Sequence, residues 1–326
     1  MMDKVKIFCY CYDHQRPSGG QLSMYKHVDI LNRNGLEAYV LHRKEGFSLS
    51  WFPHCTPVVG YNSFKKIYNL MKDIIVVPED LGHMINEVPG QKVIANQNCY
   101  YGFAAFDFKK PDPYPYLRTD IKGVMTVSDH NQRYLAFAYP NLKIHRVYYS
   151  TDPDTFVFND VNNKKRKIAC LPSKNTMDLL QLYHIAQSRA EQGLNWLNEY
   201  EWVFIKDKSQ QEVAEILRDS IVFVFLSTVE GLPRMPLEAM LSGSIVLAYC
   251  HGPLTEFLRP DNSFASERFD IISLVMNLEK VTELFLEDPE RLRRISEAAR
   301  KTALEYSYEK EEKTYLAFWR EVLGDG

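Results

Sequence analysis

A chain of 326 residues, 45% hydrophobic and 25% charged, with 15 Gly and 16 Pro, is ordinary globular material; collagen-like, low-complexity and mainly disordered architectures are excluded. The length exceeds what one core usually supports, so two domains of about 150 residues each are expected. The formal net charge of −3 offers no basic excess for nucleic acid, and an anionic ligand would need positive potential built locally at its site.

In chain order, Val5–Tyr12 is a near-continuous apolar run of the kind buried on both faces of a parallel sheet. A loop at Asp13–Gly20 leads into an amphipathic helix over about Leu22–Arg33, stopped by Asn34-Gly35, and a second strand at Glu37–His42. Phe64, Ile67, Tyr68 and Met71, with Lys65, Lys66 and Lys72 nearby, share one face of a helix expected to pack on the first sheet. Further strands are expected at Asp73–Val77, Gln91–Ala95, Ile121–Val127 and Leu142–Tyr149. His130 lies at a helix start, where Ser128 or Asp129 reads as the N-cap. The pattern restarts with strands at Arg166–Leu171, Glu201–Ile205, Ile221–Leu226 and Ser244–Cys250, and turns wholly helical after about Ile271. Thr151-Asp152-Pro153-Asp154 breaks regular structure, which places the joint near Ser150–Asp160. Domains of 1–150, rejoined by a terminal helix over 307–326, and of 151–306 follow. Strands alternating with helices predict α/β architecture: two Rossmann-like, doubly wound domains facing a central cleft, with ligands at the carboxyl ends of the strands.

The six cysteines are scattered, without CxxC or zinc-ligand spacing; several sit in apolar runs where a thiol behaves as a small hydrophobe. No signal-peptide core or bilayer-length apolar run is present. A reduced, cytoplasmic setting is expected, with the inner face of the membrane as a further location and a weak peripheral membrane contact as a further partner.

The chemistry concentrates in Leu226-Ser227-Thr228-Val229-Glu230-Gly231-Leu232-Pro233-Arg234-Met235-Pro236-Leu237-Glu238, closed by Gly243. A strand ends at Leu226, a Gly/Pro loop follows, and a helix starts near Met235, offering unpaired amides and the positive end of its dipole. Two carboxylates at such an anion-attracting start make sense when the ligand also carries hydroxyls. A sugar nucleotide carries both: a diphosphate for amides and cations, hydroxyls for Glu230 and Glu238. The competing reading leaves Glu238 complementing the helix dipole and Glu230 solvated in its loop.

Glu230-Gly-Leu-Pro…Leu-Glu238-Ala-Met…Gly243 resembles the E-x7-E signature of the GT-B glycosyltransferases in the large retaining group known as family 4, or glycosyl transferases group 1. Pro17-Ser18-Gly19-Gly20, Val127-Ser128, Tyr149-Ser150-Thr151-Asp152…Phe156 and Gly252-Pro253-Leu254-Thr255-Glu256 are similar to further family segments, so the resemblance spans essentially the whole chain. It implies transfer of a sugar from a nucleoside-diphosphate sugar to a hydroxyl of a glycan, lipid-linked sugar or similar acceptor, with retention and without metal or other cofactor. It implies that Glu230 meets donor-sugar hydroxyls and Glu238 the ribose; that Gly231, Leu232, Pro233 and Ser173 line the donor; that Lys174 holds phosphate; and that Gly19 and Gly20 approach the diphosphate from the first domain. The family's upstream phosphate arginine has no counterpart here, and Arg234 is the candidate replacement. Glu230, Lys174 and Arg234 are therefore the catalytic candidates. The first-domain loop that often carries a histidine reads Ala95-Asn96-Gln97-Asn98-Cys99-Tyr100, leaving Gln97, Asn98 and Tyr100 on the acceptor side, none of them a general base. The aromatic run from Tyr100 to Tyr116 suggests a sugar-stacking wall. The rival functions are a GT-B epimerase or hydrolase of nucleotide sugars and a non-catalytic GT-B binding protein.

Overall fold

The computed structural model describes residues 4–324, and the chain divides into two compact units. The first runs to Tyr149 and resumes at Tyr308; the second is Ser150–Ser307.

In the first unit the elements are β1 (Lys6–Tyr10), α1 (Gly19–Arg33), β2 (Glu37–His42), β3 (Val58–Gly60), α2 (Tyr61–Ile67), β4 (Ile74–Pro78), β5 (Gln91–Asn96), α3 (Cys99–Ala104), β6 (Ile121–Thr126), α4 (Asp129–Ala138) and β7 (Ile144–Arg146). The strands form one parallel sheet ordered β3-β2-β1-β4-β5-β6-β7. Strand order reverses at β1 and β4, so the loops after those two strands flank the switch point, where open α/β sheets place ligands. The apolar runs of β1 and β4 are buried because helices cover both faces of a parallel sheet.

The second unit contains β8 (Lys165–Cys170), α5 (Thr176–Glu191), β9 (Glu201–Phe204), α6 (Gln210–Asp219), β10 (Ser220–Phe225), α7 (Arg234–Leu241), β11 (Ile245–Tyr249), β12 (Phe264–Ser266), α8 (Ile271–Glu287) and α9 (Pro289–Leu304). Its sheet is parallel in the order β12-β11-β10-β8-β9, with the switch between β8 and β10. The core joins Ile168, Val222, Val224 and Leu247 of the sheet to Leu179 and Leu182 of α5 and Leu274, Leu278 and Val281 of α8. Ser209 and Glu212 form a reciprocal capping box that fixes the start of α6.

The last helix, α10 (Tyr308–Leu323), returns to the first unit. Its Trp319, fully buried, donates its indole N–H to His27 of α1 at 2.6 Å, and Tyr315 stacks on the same imidazole with ring centroids 4.2 Å apart.

Some boundaries differ from the sequence reading for physical reasons. The edge strands β3 and β12 have three residues each, too few to carry a period. The expected strand at Leu142–Tyr149 contracts to Ile144–Arg146. The helix expected through Met71 stops at Ile67: Tyr68 is extended, and Met71 is 81% exposed instead of packed on the sheet. Gly19 and Gly20 lie in the first turn of α1, not in the loop before it. The six cysteines are free thiols, with Cys9, Cys11, Cys99 and Cys170 buried among apolar side chains. Among the described residues no helix is long and apolar enough to cross a membrane.

Candidate active site

In the second unit the two strands that flank the switch each end in a loop carrying one member of an ion pair. Lys174 follows β8, Glu230 follows β10, and Lys174 Nζ donates to Glu230 Oε1 at 2.6 Å. The same carboxylate oxygen accepts Ser227 Oγ–H at 2.6 Å. Residues 56 positions apart thus meet because β8 and β10 are neighbours in the sheet.

Lys174 is held from behind by Asn175. Asn175 takes a left-handed conformation (φ 66°) and accepts the Asp178 N–H to cap α5; its amide donates to Asp178 Oδ2 at 2.7 Å and to the Leu226 carbonyl at 3.3 Å. Asparagine is among the few side chains that adopt this conformation readily. The cap therefore also ties the β8 loop to the end of β10.

The Glu230 carboxylate is 13% exposed and the Lys174 side chain 41%. Only one of the three ammonium protons is used by Glu230, so the others remain for an anion. His251, after β11, donates from Nε2 to the Ser227 carbonyl at 2.9 Å, which puts its proton on that nitrogen and braces the turn that aims Ser227.

α7 starts at Arg234 with Pro233 as N-cap and no side-chain cap, so its first amides lack side-chain partners at that end. Gly231, Leu232 and Pro233, in the loop itself, are buried, while Ser173 is exposed. Glu238 is half-buried one turn into α7. Arg234 donates from Nη1 to the Ser150 carbonyl at 3.0 Å, so one edge of its guanidinium is engaged by the backbone of the joint. Gly243 ends this helix at φ 83°; a Cβ there would sit 2.3 Å from the Asn159 carbonyl, so glycine is required.

In the first unit, Gly20 and Gln97 meet at the carboxyl edge of the sheet. Gln97 donates its amide to the Gly20 carbonyl at 3.3 Å, and its Oε1 lies 2.9 Å from where a Gly20 Cβ would stand. Asn98 is buried and caps α3, accepting the Tyr100 N–H at 3.1 Å, so that oxygen serves the helix. The Tyr100 hydroxyl and His130 Nε2 are 2.9 Å apart, while Ser128 supplies the cap of α4. Asp152 holds the Asp154 and Thr155 amides in a turn.

Residues 191–302 match the family model described as glycosyl transferases group 1. An α-1,6-glucosyltransferase of Actinobacillus pleuropneumoniae is 23% identical over 252 residues, 74% of this chain and 71% of that protein. Sucrose-phosphate synthase from Thermosynechococcus elongatus superposes with a TM-score of 0.73 at 13% identity, over 99% of this chain and all of that one. The pneumococcal O-GlcNAc transferase GtfA, solved with UDP and GlcNAc, gives 0.68 at 10% identity over 98% and 99% of the two chains. The chain is a glycosyltransferase of the GT-B fold.

Two features of the glycosyltransferase escaped the sequence reading. One is the pair Ser227 and Asn175: Ser227 holds the Glu230 carboxylate within its own loop, and Asn175 ties the β8 loop across to Leu226. Glu79 and Asp80 sit where β4 ends at the first unit's switch point. Glu79 is 4% exposed and accepts the Gln97 backbone N–H at 3.0 Å; burial pushes its carboxyl up to about 8. Tyr12, after β1, donates its hydroxyl to Asp80 at 2.9 Å. Two acids at the end of an apolar strand were the available signal. The loop after β1 is tied down by Asp13, whose carboxylate accepts the Arg43 and Lys44 amides and lies 3.0 Å from His42 Nδ1. The Asp13 carboxylate can only accept, so His42 Nδ1 carries the proton, and Nε2 of the neutral ring accepts the Tyr25 hydroxyl, whose oxygen also accepts the Leu49 N–H. The enzyme's glycine-bearing helix start is thereby approached along a fixed path. Among its described residues, no cluster of three or more His, Cys, Asp and Glu side chains is arranged to hold a metal ion.

Proposed function

We propose that the enzyme moves a glycosyl unit from a nucleoside-diphosphate sugar to a hydroxyl of a carbohydrate or lipid-linked acceptor, with retention of anomeric configuration and without a metal. The observation that carries this reading is the Lys174–Glu230–Ser227 group at the start of α7. It puts an ammonium and a carboxylate together just before a helix start that has no side-chain cap, the set that a ligand with both phosphates and hydroxyls requires. Glu230 takes sugar hydroxyls, Glu238 the ribose, Gly231, Leu232 and Pro233 line the donor beside Ser173, and Lys174 holds the diphosphate. Arg234 adds positive charge for the diphosphate. Gln97, Asn98 and Tyr100 belong to the acceptor side.

In the reaction the bond from the anomeric carbon to the phosphate oxygen breaks, and a bond from the same carbon to the acceptor oxygen forms on the same face. The acceptor proton passes to the departing phosphate oxygen. Lys174 and the α7 amides stabilise the negative charge that grows on the diphosphate, a preorganised electrostatic contribution. No protein nucleophile is needed. A cytoplasmic setting supplies nucleotide sugars. The glucosyltransferase relative and the UDP-bound neighbour make UDP-glucose and UDP-GlcNAc the first donors to try.

The test is incubation with UDP-, GDP- and dTDP-sugars, with and without acceptor extracts, following nucleotide release. Release that depends on acceptor is the expected result. Release without acceptor would replace transfer by hydrolysis, and binding without turnover would make the chain a non-catalytic binder.

A further inference from the structure

His251, in the loop after β11, is engaged by the protein at one nitrogen only. Its Nε2–H donates to the Ser227 carbonyl at 2.9 Å, joining the loops that follow the neighbouring strands β11 and β10. A carbonyl can only accept, so the proton sits on Nε2, and Nδ1 of the neutral ring carries a lone pair. The residue is extended (φ −152°, ψ 163°) just before the short helical turn Gly252–Glu256, and its side chain does not cap that turn. Among the described residues Nδ1 has no hydrogen-bond partner, yet it is not buried.

The Glu230 carboxylate is divided in the same way. Oε1 takes both the Lys174 ammonium and the Ser227 hydroxyl, each at 2.6 Å. Oε2 has no partner among the described residues and is likewise not buried. Ser227 stands between the two groups, its carbonyl holding the imidazole and its hydroxyl the carboxylate. One residue thus fixes two open acceptors, an imidazole nitrogen and a carboxylate oxygen, on adjoining loops.

Two open acceptors call for a ligand that brings O–H donors of its own. Ring hydroxyls of a sugar do so. Phosphate oxygens are themselves acceptors, would be repelled by the carboxylate, and are served instead by the ammonium protons of Lys174 that Glu230 does not use.

We propose that His251 is a specificity-determining contact to the donor sugar, its Nδ1 accepting one ring hydroxyl while Glu230 Oε2 accepts another. This rests on the donor reading above and adds to it a residue and a requirement: two free hydroxyls on the edge of the sugar that meets these loops.

The experiment pairs protein variants with altered ligands. His251→Gln places an amide N–H near the position of Nε2, so the Ser227 carbonyl keeps a donor, and puts nothing at Nδ1. His251→Asn does the reverse, with an acceptor near Nδ1 and no reach to Ser227. Calorimetric titration of wild type and both variants uses the best-bound of UDP, GDP and dTDP, the corresponding nucleotide-glucose, and analogues in which fluorine replaces one hydroxyl at a time and so removes one donor. Wild type is expected to lose about fivefold in affinity for the analogue lacking the His251 partner, the worth of one ordinary hydrogen bond, and tenfold or more for the one lacking the Glu230 partner. His251→Gln should erase the first penalty and keep the second, His251→Asn should keep both, and affinity of His251→Gln for the free nucleotide should match wild type. If no penalty disappears in His251→Gln, or if its affinities for free nucleotide and nucleotide-glucose fall equally, His251 only braces Ser227; the contact is overturned and the donor reading stands. Absence of binding by all three nucleotides and their sugars would remove the donor reading and the contact together.

Discussion

Trp319 and His27 lie 292 positions apart and share a 2.6 Å hydrogen bond, the indole N–H donating to the imidazole Nε2. The remaining imidazole nitrogen, Nδ1, lies 3.8 Å from Cys9 Sγ, buried in β1. The final helix, the first helix and the first strand thus converge on one neutral imidazole, which burial holds down to about 3.

That imidazole makes stability depend on pH in a defined direction. In the unfolded chain it titrates near 6.5; in the folded protein it stays neutral. The stabilisation is complete above about pH 6.5 and is lost as the pH falls from there toward 3, by roughly 1.4 kcal/mol per unit. Trp319→Phe leaves the imidazole nitrogen buried without a donor, at a cost of about 1–3 kcal/mol. Urea midpoints followed by circular dichroism at pH 7.5 and 5.5 measure both effects. A midpoint for Trp319→Phe equal to wild type at pH 7.5 would contradict the Trp319–His27 hydrogen bond.

Glu79 works in the opposite direction. Its carboxyl ionises near 4.3 when unfolded and is raised to about 8 by burial, with Asp80 adding to the rise and the Gln97 and Asn98 amides opposing it. Folded stability is therefore fullest below the unfolded value and declines as the pH rises toward 8. Glu79→Gln keeps an acceptor for the Gln97 amide and removes the ionisation. The substituted protein is expected to match wild type near pH 4.5 and to exceed it in melting temperature at pH 8. An equal offset at both values would show that the carboxyl does not titrate in this range.

Lys174→Gln separates function from stability. The pair is half-buried, with Lys174 41% and Glu230 13% exposed, and glutamine keeps an N–H donor for the Glu230 carboxylate, so the melting temperature should move by no more than a few degrees. Affinity for nucleoside diphosphates should fall tenfold or more, because a charge-assisted hydrogen bond contributes roughly 1.5–3 kcal/mol. Calorimetric titration with UDP, GDP and dTDP reads this directly. Unchanged affinity would remove Lys174 from the phosphate site.

Glu238→Ala should behave in the same way, with weaker nucleotide binding and a nearly constant melting temperature, since the side chain is only half-buried. A large drop in stability with unaltered binding would make Glu238 a structural residue of α7.

Periodicity carried the alternation of strands and helices, the restart of the pattern after the joint and the helical close, because both signals are local: a near-continuous apolar run for a buried parallel strand and a 3.6-residue repeat for a helix. The acidic loop and the helix at Arg234–Leu241 were legible for the same reason, since Gly231, Pro233, Pro236 and Gly243 punctuate them within one short stretch. Tertiary structure alone decided which side chains meet there. Nothing local ties Lys174 to Glu230 or Asn175 to the Leu226 carbonyl; the adjacency of β8 and β10 does. The same holds for Glu79 clamping the Gln97 amide and for Trp319 reaching His27. Strand order and helix return are set by burial of whole faces against one another, a sum over distant residues that no window of sequence contains.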